Sequence, residues 1–321
     1  MISNLHLIAI PSIYDQQRYN EIRLLEGTNQ GRPYLDTTGN PSVGIGFNLR
    51  GNATVRAEVF LRVEIDPNAS GLTAAQQAAE LGYLNQLNTA AAGSYASSSA
   101  VRTALDAIMA ARAGDAIFQG ITRITNLTTF TMTDPQMQAV FPVAALQAEI
   151  KVDTWLANIL PSNERIALVS LAYNNLIGVN PGGTFKSPSL RQAIIDDNRA
   201  EAWYEIRYNS NGGASQSSGI ASRRITESDL FSLYDNPGQS VGEAEAKEVL
   251  RMYTTHRTEI QAYESQFSTQ FAPGGTATIQ FQLTSAETTL IANYAVGRLS
   301  TAKCWWGRTR YCRGIGWTAQ L

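Results

Sequence analysis

The sequence predicts a mainly helical α+β fold, and three observations carry that prediction. Apolar residues recur at helical spacing through most of the 321 residues. A switch to alternation at Val43, Ile45 and Phe47, between small residues, marks a short β segment near the start. The composition, 44% hydrophobic, supplies enough apolar surface for one large core or two smaller ones and excludes a disordered chain.

The elements follow in chain order. In "DQQRYNEIRLLEG", residues 15–27, Tyr19, Ile22 and Leu25 or Glu26 share one side, and Gly27 suits the position just past a helix end, so a helix should stop near Glu26. In "PYLDTTGNPSVGIGFNL", residues 33–49, the turn residues Thr38, Gly39, Asn40 and Pro41 precede the alternating stretch, which reads as a β-hairpin or short sheet. Residues 51–132 are rich in Ala, Ser and Gln, consistent with amphipathic helices, and hold no catalytic constellation. From Thr133 the pattern is helical again, and "TDPQMQAVF" begins with a capping Asp134 and a first-turn Pro135. "VAALQAEIKVDTWLANI", "ERIALVSLAYNNLIG", "SPSLRQAII", "RAEAWYEIRY" and "GIASRRITESDLFSLY" then form a run of short helices separated by Gly-, Asn- and Ser-rich loops. The expected parts are an N-terminal region, 1–50, a helical insertion, 51–132, a helical C-terminal lobe, 133–265, and an extension, 266–321, ending in "CWWGRTRYCRGIGW". No internal repeat is visible.

Charge and residue inventory narrow the chemistry. The formal charge is −2, without long runs of one sign, so no nucleic-acid footprint or polybasic membrane anchor is expected. No apolar run approaches the roughly 20 residues of a membrane span. "NLHLIAIPSI" lacks a basic n-region and a small-residue cleavage site, so it reads as part of the fold. Action outside the cytoplasm would then need another delivery route, or a larger polypeptide of which this chain is a piece. The cysteines, Cys304 and Cys312, and the histidines, His6 and His256, are too few and too dispersed for a zinc site, a Cys-x-x-Cys pair or a recognisable nucleophile motif. Neither metal nor cofactor is expected, and carboxylates become the candidate working groups.

Two carboxylates stand out in "LLEGTNQGRPYLDTTGNPSVGIGF", residues 24–47. Glu26, in the last turn of a helix, faces the negative end of the helix dipole, which disfavours ionisation and suits a general acid. Asp36, beside a turn, has backbone N–H groups to keep it ionised. Such a contrast is the acid and base arrangement of glycoside hydrolysis. Taken singly, each residue is also an ordinary structural one: a helix-terminal Glu before Gly, and an Asp that closes an Asx-turn.

The order and spacing Glu26-Gly27, Tyr34, Asp36, Gly39 and Ser42-Val43-Gly44-Ile45-Gly46-Phe47 resemble the phage T4-type lysozymes, glycoside hydrolases of bacterial peptidoglycan. The segment "TNQGRP" is about one residue longer than in that family, and Phe47 stands where the family has His. The resemblance implies a lysozyme-like two-lobe fold with a small β-hairpin lobe and a helical lobe. It implies Glu26 as general acid, Asp36 acting on the attacking water, and Ser42, in the family's Thr position, orienting that water. A second stretch, "ERIALVSLAYNNLIGVNPGGTFKSPSLRQAIIDDNRAEAWYEI", resembles the family's C-terminal lobe, with "ASRRITE" near its end. There Asn174 is equally readable as a cleft residue touching sugar or stem peptide and as helical packing, and Tyr34 is taken as substrate-binding. Trp203 and Leu190 read as packing.

The activity implied is that of a muramidase, cleaving the β-1,4 bond between N-acetylmuramic acid and N-acetylglucosamine by inverting acid/base catalysis and so lysing the wall. The partner would be bacterial peptidoglycan, met in the periplasm or outside the cell, by an endolysin, a tail lysin or an antibacterial toxin. The alternatives are a lytic transglycosylase, a chitinase-like glycosidase, and a non-catalytic wall-binding module. Cys304 and Cys312 are close enough in sequence to close a small disulfide loop; Arg308, Arg310 and Arg313 beside the tryptophans offer sugar stacking or a packed terminus.

Overall fold

Pro11 opens the first helix at a position where a missing N–H costs nothing, because the first N–H groups of a helix have no partner within it. That helix, α1 (Pro11–Leu25), is followed by strands β1 (Gln30–Leu35), β2 (Pro41–Gly44) and β3 (Phe47–Asn48). The computed structural model describes residues 1–26, 30–157, 159–212, 216–237, 239–271 and 277–295. The strands form one antiparallel sheet in the order β1-β2-β3, and the remainder is mainly helical, as the sequence predicts.

The chain divides into two compact units. One comprises residues 8–157 with a short return at 172–175. Besides α1 and the sheet it holds α2 (Ala53–Arg62), α3 (Ala74–Ala91), α4 (Ser98–Gly114), α5 (Thr122–Thr125) and α6 (Asp134–Trp155). Four of these helices start on a side-chain cap: Asn52, Thr73, Ser97 and Thr133 each accept a backbone N–H from the first turn. For α6 this corrects the expectation from sequence. The cap is Thr133, paired with Gln136 in a capping box, while Asp134 is the first helical residue and sits where a negative charge meets the positive end of the helix.

Helix α1 buries Tyr14, Arg18, Tyr19 and Ile22, one stripe at helical spacing. The stripe lies on α6: the Tyr19 hydroxyl donates to Asp134 Oδ1 at 2.7 Å, the Tyr14 hydroxyl to Glu149 Oε1 at 2.8 Å, and the Tyr19 ring meets Phe141 edge-on at 5.5 Å. Helix α4 backs the sheet, with Ser98 Oγ accepting the Leu35 N–H at 2.9 Å and Arg102 Nε donating to Pro33 O at 2.8 Å. Met132 N–H donates to Gly31 O at 2.8 Å, an approach so close that a Cβ at residue 31 would lie 2.4 Å from Met132 O. Between α3 and α4, Arg112 and Glu80 form a fully buried bidentate pair at 2.8 and 2.6 Å, and Arg112 also donates to Glu64 O. Backbone adds two further bonds, the Arg112 one to Glu64 O and one from Asp66 N–H to Glu80 Oε1 at 3.2 Å, which offset part of the cost of removing two charges from water. Arg112 Nη1 is buried without a hydrogen-bond partner among the described residues.

The other unit comprises residues 1–7 and the chain from 158 onward apart from 172–175. It holds most of α7 (Asn163–Tyr173), then α8 (Pro188–Ile195), α9 (Arg199–Arg207), α10 (Ser218–Phe231), α11 (Glu243–Gln266), α12 (Ser268–Phe271), α13 (Ile279–Gln282) and α14 (Thr284–Ala295). Trp203 and Leu190 are buried, as expected. The arginines of "ASRRITE" are buried too, with Arg223 and Arg224 both donating to the enclosed carboxylate of Glu227. The N-terminal residues are tied in by long-range polar contacts: Ser3 N–H to Asp197, Asn4 Nδ2 to Asp235, and His6 to the buried Glu164, which also accepts from Arg199. Within the extension expected at 266–321, α14 meets α11's N-terminal approach through Thr289 Oγ1, which donates to Val241 O at 3.0 Å. Cys304 and Cys312, with the arginines between and beside them, lie outside the described residues. Among the described residues no helix is long and apolar enough to cross a membrane.

Candidate functional site

The five residues singled out in the sequence, Glu26, Tyr34, Asp36, Ser42 and Asn174, all belong to the same compact unit. Glu26 is the residue at which α1 ends. Its N–H closes the last turn onto Ile22 O at 2.9 Å, and its side chain is exposed. Because α1 is fastened to α6 along its buried stripe, this helix end is held in place from behind.

Asp36 builds the turn between β1 and β2. Its Oδ1 accepts the Thr38 N–H at 2.9 Å, the Thr38 hydroxyl at 2.7 Å and the Asn40 N–H at 2.8 Å, while its own N–H donates to Asn40 O at 3.0 Å. This is the Asx-turn geometry that the residue type favours. Burial works against ionisation here, but the hydrogen bonds from Asn40 and Thr38 outweigh it and hold the carboxyl below its ordinary value. Asp36 is therefore an anion. Its Oδ2 receives the longer 3.5 Å contact from Asn40 Nδ2, so Oδ1 is the oxygen that organises the turn.

Tyr34 and Ser42 are direct cross-strand partners, and Ser42 is in turn opposite Asn48, so the three form a row on one face of the sheet. Ser42 is enclosed, and its hydroxyl reaches Asn40 O at 3.5 Å, the outer limit of a hydrogen bond. The Tyr34 hydroxyl lies where both carboxylates act on it. Burial raises it above its ordinary value, the charge of Glu26 adds to that, the backbone N–H of Gly46 opposes it, and Asp36 adds again.

The hairpin tip Gly44-Ile45-Gly46, between the paired residues Val43 and Phe47, explains the two glycines of the motif. Gly44 has φ +66° and Gly46 has φ +87°, a region that other residues enter only with strain. Phe47, in the position where the lysozyme motif has His, is buried and packs over Gly44. The chain segment 172–175 comes to this tip. The Tyr173 hydroxyl donates to Ile45 O at 3.3 Å, and Lys151 of α6 donates to Ala172 O at 3.5 Å and to Asn175 Oδ1 at 3.3 Å. Asn174, half-buried, follows Tyr173 directly.

Two groups of this unit escape a reading by sequence. Tyr173 is visible there only as the aromatic neighbour of Asn174, and its bond to the hairpin depends on a contact across 128 positions. Glu21, five residues before Glu26 on α1, is a second half-buried carboxyl, raised above its ordinary value by burial alone. Nothing in its local pattern separates it from a solvated helix residue. Among the described residues there is no group of three or more His, Cys, Asp or Glu side chains that could hold a metal ion. Compared with known proteins, the chain matches no family model, and no curated protein and no solved structure is significantly similar to it.

Proposed function

We propose that this chain is a glycoside hydrolase acting on bacterial peptidoglycan, a muramidase with Glu26 as general acid and Asp36 as the base that receives a proton from the attacking water. The observation that carries this reading is the turn that holds Asp36 as an anion through the Thr38 and Asn40 N–H groups, beside the sheet on which Tyr34 and Ser42 stand directly opposite each other. Glycosidic cleavage needs one carboxyl that can give a proton and one that stays charged, and proton transfer of this kind contributes ~10²–10⁴-fold in rate. In this reading Ser42 orients the water, Tyr34 and Asn174 contact the substrate, and the fold is a lysozyme-like one with a hairpin lobe and a helical lobe. The site of action is then the cell wall, reached in the periplasm or from outside.

A second reading is favoured by the enclosure of Ser42. A lytic transglycosylase needs Glu26 alone and closes the sugar on itself, so it has no attacking water for Ser42 to hold. Mass spectrometry of purified peptidoglycan after digestion separates the two. Reducing muramic-acid ends, lost with Glu26→Gln in a folded protein, support hydrolysis; anhydro ends support the transglycosylase. No cleavage by the unsubstituted protein, with retained binding to the wall, leaves a wall-binding module in place of both.

A further inference from the structure

Strand β1 stands at one end of the order β1-β2-β3, so β2 satisfies only one of its two edges. The other edge presents backbone N–H and C=O groups that need different partners. Successive residues of a strand offer these groups to opposite edges. Tyr34 and Asp36 face inward: Tyr34 pairs with Ser42, and the Asp36 N–H donates to Asn40 O at 3.0 Å. Pro33 and Leu35 face outward, and Pro33, with no N–H to leave unpaired, suits such an edge.

Side chains of α4 take the outward groups. Arg102 Nε donates to Pro33 O at 2.8 Å, and Ser98 Oγ accepts the Leu35 N–H at 2.9 Å. Asp106 pairs with Arg32 and accepts the Phe130 N–H at 2.8 Å. Ser98, Arg102 and Asp106 follow one another at i, i+4 spacing and so form one row along the helix. The first two grip the peptide groups on either side of Tyr34. A peptide group is planar, so a bond at its outward atom also fixes the direction of its inward one.

The sheet does not supply this register unaided. Pairing of β1 with β2 is irregular between Gln30 and Tyr34, and an irregular ladder specifies the strand's position weakly. The row on α4 pins the strand where it enters the turn of Asp36.

We propose that Ser98 and Arg102 are positioning residues, which hold the residues 33–35 of β1 against α4 and thereby set the direction of the Asp36 carboxylate toward the attacking water. The catalytic use of Asp36 rests on the hydrolase reading above; the brace on its turn does not. The helical segment 51–132, which holds no catalytic constellation of its own, acts on the site through this row.

The test uses two readouts on the full chain. Ser98 carries no charge, so its replacement reaches Asp36 through geometry alone. In protein labelled with ¹³C at the aspartate carboxyls, the Asp36 signal, identified by its loss in Asp36→Asn, is followed against pH. Burial opposes ionisation of Asp36 and the bonds from Asn40 and Thr38 outweigh it, so a slackened turn raises the titration midpoint. The midpoint should rise in Ser98→Ala and stay in place in Ser98→Thr, which keeps the hydroxyl. Asp106→Asn, which loosens the far end of the strand, controls for a general loss of stability and should not raise it. An unmoved midpoint in Ser98→Ala, or an equal rise in Asp106→Asn, overturns the brace, whatever the activity. On purified peptidoglycan, Ser98→Ala and Arg102→Met should each lose about 3–10-fold in kcat, the weight of one hydrogen bond, with KM nearly unchanged and Ser98→Thr restoring the rate. An unchanged kcat in a variant of an active enzyme removes that residue from the proposal. A raised midpoint in a protein whose parent cleaves no glycan keeps the brace and removes the catalytic use of Asp36.

Discussion

Replacing Gly44 with alanine asks the hairpin tip to accept a methyl group in a backbone conformation that disfavours one. Two costs add. The residue has φ +66°, and holding an L-residue there costs roughly 1–2 kcal/mol. The new Cβ would also lie 2.9 Å from Phe47 Cδ2 and 3.0 Å from Met137 Sδ, and overpacking of this kind costs about 1–3 kcal/mol. Phe47 is almost fully enclosed, so it has little room to yield. The expected total is roughly 2–5 kcal/mol. Gly46→Ala is the internal control. It has φ +87° but nothing within 4 Å of the Cβ, so it should lose only the conformational part, roughly 1–2 kcal/mol. Urea denaturation followed by tryptophan fluorescence, with differential scanning calorimetry to identify the transition affected, reads both variants; each kcal/mol corresponds to about 2–4 °C in a unit of this size. If Gly46→Ala proves the more damaging of the two, or if neither shifts the transition, the packing argument for the motif's glycines is wrong.

Three further outcomes follow from the same structure. Glu80→Ala, which strands the buried Arg112, should cost about 3–5 kcal/mol, whereas the apolar double replacement Glu80→Leu with Arg112→Met should recover most of it; a double variant as unstable as the single one refutes this. Burial raises the Glu21 carboxyl, so its folded pKa lies above the unfolded one, and the stability it supports below the unfolded value is lost as pH rises through the folded one. Glu21→Gln should therefore gain in Tm over the parent as pH rises from about 4, and a difference that stays constant with pH contradicts the assignment. If Asp36 guides the water across the sugar from Glu26, fresh product should carry the α-anomer by NMR, and Ser42→Ala should slow kcat with KM nearly unchanged; a β-anomer means the inverting mechanism does not apply.

Local chemistry made much of this molecule legible in its sequence. The end of α1 at Glu26, the turn at residues 36–40 and the hairpin with its glycines each follow from residues whose preferences are strong at short range. The start of β1 at Gln30 was not legible, because "QGRP" carries turn residues and its strand state comes from pairing with Gly44 and from the Met132 contact. The capping error at α6 is of the same local kind: Thr and Asp are both good caps, and the Gln136 partner decides in favour of Thr133. For the candidate site the limit is distance along the chain. Asp36 and Ser42 are neighbours in sequence and in space, whereas Tyr173 reaches Ile45 and Lys151 reaches Asn175 only after the helices between them have packed.

The order of the chain through the two units bears on how the protein is made. Residues 8–157 with 172–175 form one unit, and the other is interrupted by it, beginning at residues 1–7 and resuming at 158. During synthesis at ~5–20 residues per second, the first of these units has all its parts soon after residue 175 has left the ribosome. The partners of Asn4 and His6 appear later, at Asp235, Glu164 and Arg199, so these residues wait through the synthesis of the whole first unit before they find their place. Loop closure over so many residues adds only slowly to the entropic cost, because the cost grows with the logarithm of length. The interrupted unit is thus committed to finishing second, and an N-terminal fusion that hinders Ser3 or Asn4 would act on that late step while the hairpin and its carboxylates were already formed.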